Sequence, residues 1–143
     1  VLFSAFVLHG AASEARMKRE TLVLVTKSGE VTIDVEIAES DNEKALGLMF
    51  RTSLPEKQGM LFPYGQPHDI AMWMRNTYIP LDMVFIKSDG TIHRIQEMTE
   101  PLSESVIAAG APVTAVLELA GGAAKRLGLG PGDRVRHRHF RSG

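Results

Sequence analysis

Apolar and β-branched positions recur in short alternating runs along most of this chain, a period-two pattern that predicts strands rather than helices. Residues 21–26 (TLVLVT) form one run, closed by the turn signal Ser28-Gly29. Val31, Ile33, Val35 and Ile37 then alternate with polar residues as in a half-buried strand, and the two runs predict a hairpin. Ser40 and Glu43 have the spacing of a capping box, which predicts a short helix over residues 43–49. Residues 59–62 predict a short strand, and Pro63, Gly65 and Pro67 an irregular stretch after it. Residues 69–74 (DIAMWM) and 81–86 (LDMVFI) read as two paired strands turning near Thr77-Tyr78. Asp89-Gly90 is a hairpin signal leading to a strand at 91–95, and the polar stretch 97–104 predicts a loop. Residues 113–119 (VTAVLEL) are apolar on both faces, as in a central strand. A helical turn at 123–127, stopped by Gly128, precedes a turn at 130–133 and a last strand at 135–140.

Many short strands at regular spacing, with no long helix, predict a mainly β fold. The expectation is a compact, antiparallel-dominated barrel- or sandwich-like domain with one or two short helices. At 143 residues and 44% apolar content there is room for one domain with a real core, expected over residues 19–143. The 16 basic and 17 acidic side chains argue against a phosphate-tracking surface, so no nucleic-acid partner is expected. There is no cysteine, which excludes disulfides, thiolate metal sites, a cysteine nucleophile and a lipoprotein anchor. The run VLFSAFVL at residues 1–8 is too short to span a bilayer. Followed by small residues at 10–15, it reads as part of a secretory signal remnant over residues 1–18. That reading places the mature chain in the periplasm or outside the cell, with no integral membrane segment.

No nucleophile elbow, Walker loop, dinucleotide fingerprint or zincin motif is present. The chemistry concentrates instead in residues 68–85 (HDIAMWMRNTYIPLDMVF), which hold the only tryptophan. If these residues form a hairpin, Met83 lies opposite Met72 and beside Met74, with His68 near. Three thioethers on one face would suit Cu(I), but methionine is a common core filler, and core packing is the stronger reading of the same pattern. On that register Asp82 faces Trp73, giving either a polar pocket floor beside an aromatic wall or a carboxylate that ties down its own loop. Glu118 sits in an equally apolar strand and needs a partner if buried, for which Arg51 is the candidate. Asp82 with Glu118 would alternatively make an acid–base pair. His137 and His139 would share a face of the last strand, a spacing open to metal ligation but flanked by repelling arginines. No metal or other cofactor is expected.

Four ordered motifs add a resemblance. Residues 43–51 (EKALGLMFR), 59–62 (GMLF), 73–82 (WMRNTYIPLD) and 116–122 (VLELAGG) resemble the family known as domain of unknown function 192, over about residues 22–140. That family usually has Glu-Arg where Glu43-Lys44 stands, and often Lys where Arg75 stands. The resemblance implies a compact, mainly β, barrel-like and often exported domain. It groups Arg51, Trp73, Arg75, Asn76 and Asp82 as one constellation and carries no activity with it. The functional expectation is an exported domain that binds a small polar or anionic ligand in a groove lined by Met49, Arg51, Trp73, Arg75, Asn76, Asp82 and Glu118. The alternatives are a hydrolytic enzyme using Asp82 and Glu118, and a methionine-based Cu(I) protein.

Overall fold

Strands β1 (Lys18–Thr26) and β2 (Gly29–Ile37) form the expected hairpin, joined by Lys27-Ser28. Gly29 supplies the positive φ of 126° that this turn needs. The computed structural model describes residues 16–141; the rest of the expected signal remnant, residues 1–15, lies outside the described residues. Met17 is already buried against the fold.

After β2 the chain crosses over through helix α1 (Asp41–Leu46) to strand β3 (Gln58–His68). The capping box forms as its spacing predicts. Glu43 N–H donates to Ser40 Oγ at 3.1 Å, and Ser40 N–H donates to the Glu43 carboxylate at 3.0 Å. The helix stops short of the expected residue 49 because Gly47 turns out of it at a φ of 49°. The crossover makes β2–β3 a parallel pair, whereas the other described pairings are antiparallel. Residues 63–67 are not the irregular loop their prolines and glycine predict. They continue β3, with the register against the neighbouring strand broken between Pro63 and His68.

The chain continues through β4 (Ala71–Met72), β5 (Leu81–Ile86), β6 (Ile92–Gln96), β7 (Ile107–Ala108), β8 (Val113–Ala120), helix α2 (Ala123–Leu127) and β9 (Arg134–Arg136). The main sheet runs β6-β5-β8-β3-β2-β1-β9, and a bridge from Thr91 to Arg134 brings its two ends together into a nearly closed barrel. Two expectations are corrected. The expected hairpin of residues 69–86 does not form: β4 pairs with β7, and β5 pairs with β6 and β8. Asp69 accepts a hydrogen bond from Gly110 N–H at 2.8 Å and Met74 N–H donates to Ser103 O at 2.9 Å, so this segment is held by the later loop. The last strand ends at Arg136, and residues 137–140 form a turn closed by Phe140 N–H to His137 O.

The core has two layers. Inside the barrel, Leu22, Leu24, Ile33, Val35, Leu117 and Val84 pack together, with Ala123 and Ala124 of α2 closing one end. On the outer face of β3, β5 and β8 a second cluster forms around Met60, Phe62, Met83, Phe85 and Val116, covered by Leu48, Ile70 and Met74. Strand β8 is therefore buried on both faces, as its continuous apolar run predicts.

Candidate functional site

Along β8, side chains alternate between the barrel interior and this second layer. Leu117 and Leu119 face inward, while Val116 packs in the outer cluster and Glu118 shares its face. Glu118 stands between Met60 of β3 and Met83 of β5 in the strand register. It is 4% exposed, and none of the described residues neutralises it or hydrogen-bonds to it. Burial alone pushes its carboxyl from 4.5 up to about 8. Near neutral pH it is thus a protonated acid, with one O–H to donate and a carbonyl oxygen to accept.

Above Glu118 lies a cavity of about 280 Å³ between the α1 crossover and residues 71–77. Met49, Phe62, Tyr64, Met72 and Trp73 are among the residues that line it. Two cations sit on aromatic rings among its lining. Lys44 Nζ lies 4.9 Å from the Tyr64 ring centre, and the Arg75 guanidinium 5.4 Å from that of Trp73. Lys44 also donates to Glu39 O at 2.7 Å, and exposed Arg75 faces Glu104 at 4.0 Å. Burial raises the Tyr64 phenol above its ordinary range, and any charge on Glu118 adds to that rise.

Of the residues singled out in the sequence, Met49, Trp73, Arg75 and Glu118 line this cavity. Asn76 sits beside it, its amide 3.9 Å from the Met49 sulfur. Two do not belong. Arg51 is not the partner of Glu118: it makes a bidentate pair with Glu36 at 2.8 and 3.1 Å, in a separate cleft beside Arg16 and Arg19. Asp82 does not face Trp73. It pairs with Leu119 on the barrel-interior face, opposite to that of Glu118, so the two carboxylates form no acid–base pair. Asp82 is fully buried and accepts three backbone N–H groups: Met98 at 2.9 Å, Gly122 at 3.0 Å and Ala124 at 2.8 Å. Gly122 has no side chain with which to cap α2, so a strand carboxylate satisfies the orphan donors of that helix from outside. Glu118, not Asp82, lines the cavity with Trp73 and Tyr64.

The thioethers are also rearranged. Met72 pairs with Ile107 rather than Met83 and lines the cavity, while Met74 is buried and accepts from the Thr99 hydroxyl at 3.1 Å. The face on which the copper reading rested therefore does not form. Among the described residues no group of three His, Asp or Glu is placed to hold a metal. His139 binds Thr114 O at 3.0 Å and His137 binds Glu20 at 2.6 Å, so each imidazole has a partner within the chain. Sequence reasoning missed Lys44, Phe62 and Tyr64. Tyr64 lay in the stretch misread as irregular, and Lys44 was named only as a helix residue and a departure from the family pattern.

A family model covers residues 23–137, and the chain belongs to that family, domain of unknown function 192 (DUF192), described as an uncharacterized ACR. No curated protein matches the chain. Two solved structures are similar. One is a protein of Sinorhizobium meliloti 1021 named as a candidate transcription regulator, with 45% identity, covering 87% of this chain and 97% of its own, at a TM-score of 0.84. The other is a protein of unknown function from Novosphingobium aromaticivorans DSM 12444, with 36% identity, covering 90% and 96%, at a TM-score of 0.82. No helix among the described residues is long and apolar enough to cross a membrane.

Proposed function

We propose that this domain binds a small polar or anionic ligand in the cavity over Glu118. The observation that carries the reading is Glu118 itself, a buried carboxyl that meets no partner among the described residues and opens onto a cavity. Burying such a group is costly, and natural proteins retain costs of this kind where a site needs them. Lys44 and Arg75 give the cavity a positive lining. The apolar run at residues 1–8 and the small residues after it support export to the periplasm or beyond.

The role named for the Sinorhizobium neighbour would require contacts to nucleic acid here. The charges favour the ligand reading, because Arg136 is engaged by Glu30 and Arg138 by Glu20. Trp73 is the only tryptophan, so its emission reports on this cavity alone. A screen of small acids, sugars and nucleotides against the full chain should give a saturable change in that emission, abolished in Glu118→Leu. Compounds that bind while Trp73 emission and the resonances of Tyr64 and Met72 stay unmoved would overturn the assignment.

A further inference from the structure

We infer that the ligand class of this cavity is a small organic acid with an apolar body, held as its anion against the buried carboxyl of Glu118. This rests on the cavity being a ligand site and narrows what it takes. Three features point the same way. Glu118 is nine-tenths buried or more, has no partner among the described residues and lines the cavity, so its carboxyl is open to a ligand there. An O–H···O⁻ bond from a neutral acid to a carboxylate is among the short, strong hydrogen bonds, and it needs no cation at the floor. The cations stand elsewhere in the lining, at Lys44 and Arg75, where they attract an anion and offset its charge. Between these polar groups the walls are Leu48, Met49, Phe62 and Met72, which suit an aliphatic body.

The opposite class, an ammonium ion paired with ionised Glu118, fits poorly. The aromatic faces that would receive it, Tyr64 and Trp73, already carry Lys44 and Arg75. The titratable groups around Glu118 are few. Strand β3 contributes Tyr64, α1 contributes Lys44, the 71–77 segment contributes Arg75 with Glu104 beyond it, and the neighbouring outer-face residues Met60 and Met83 carry no charge. Tyr64 stays protonated past its ordinary range, so Glu118 is the group whose state changes as pH rises through about 8.

The class follows from titrating butyrate, butyramide and butylamine, three probes of one shape, into the full chain from about pH 6 to about pH 9.5 while following Trp73 emission and backbone resonances. Butyrate should bind best at the low end and weaken by up to about tenfold per pH unit above the Glu118 titration. Butyramide, which can accept from the acid and donate to its anion, should change little with pH, and butylamine should bind worst. Glu118→Gln keeps an N–H donor without a titrating group, so it should hold butyrate with no pH dependence. Glu118→Met should weaken butyrate by about tenfold or more. Butylamine binding that exceeds butyrate and strengthens with pH, or butyrate binding indifferent to pH in the native chain, overturns the organic-acid assignment and leaves the cavity as a binding site. If none of the three probes moves Trp73 or the cavity resonances, both readings fall together.

Discussion

Asp82 and Glu118 look alike in the sequence, each a lone carboxylate in an apolar strand, yet they meet opposite conditions one strand apart. Asp82 points into the barrel end and gathers the N–H groups of Met98, Gly122 and Ala124. Glu118 points the other way, into a cavity, and gathers nothing from the described residues. The difference follows from the period of two along paired strands, because Asp82 lies opposite Leu119 and Glu118 opposite Met83. Asp82→Asn replaces an ionised acceptor by an amide that has only one accepting atom for three donors. Urea unfolding should show a loss of about 1.5–3 kcal/mol, the range for hydrogen bonds to a charged group. Trp73 emission should be unchanged, since Asp82 does not line the cavity. An unchanged unfolding midpoint would mean that α2 keeps its place without the carboxylate.

The elements most legible in the sequence are those whose pattern is local. The alternation at Val31, Ile33, Val35 and Ile37, the Ser40–Glu43 box and the two-faced apolar run of β8 each settle their own structure. Residues 69–80 were illegible because their partners are distant. Gly110 and Ser103 hold this segment through backbone groups, which leave no mark in side-chain periodicity. The candidate site was legible in the same measure. Glu118 announced itself as a carboxylate lacking a partner, but the choice of Arg51 failed because Arg51 lies beside Glu36 on β2. Gly59 shows how closely β3 and β8 approach behind the site. A Cβ there would stand 2.5 Å from the Glu118 carbonyl oxygen, a backbone atom that cannot swing aside. Gly59→Ala should therefore cost about 3 kcal/mol, the upper end for overpacking. Gly65→Ala in the same strand, with nothing within 4 Å of its Cβ, should be neutral or gain about 0.5 kcal/mol. Equal denaturant midpoints for the two variants would contradict this account of β3.

For the whole molecule, the second layer over the barrel is what turns one residue of β8 into a lever on global stability. Without Leu48, Ile70 and Met74 covering that face, Glu118 would stand in water at its ordinary value; beneath them its carboxyl is raised to about 8. A folded-state value above the unfolded one means that the folded chain holds its proton more tightly. The stability tied to that proton is complete below about 4.5, declines as pH rises, and is lost once pH passes about 8. The direction is opposite to that of half-buried Glu20 and exposed Glu30, whose values are lowered chiefly by hydrogen bonds from Arg138 and Arg136. Those groups act on the acid side, so the native chain should be most stable in mildly acidic solution and weaken toward alkaline pH. Glu118→Gln isolates the effect, because it keeps the shape and a donor and removes the titration. Measured by denaturant unfolding across this range, the stability difference between variant and native chain should move in favour of the variant by on the order of 3–5 kcal/mol from pH 4 to pH 9. Parallel curves for the two proteins would show that Glu118 ionises freely in the folded chain, and with that the reason for assigning a ligand to its cavity would be gone.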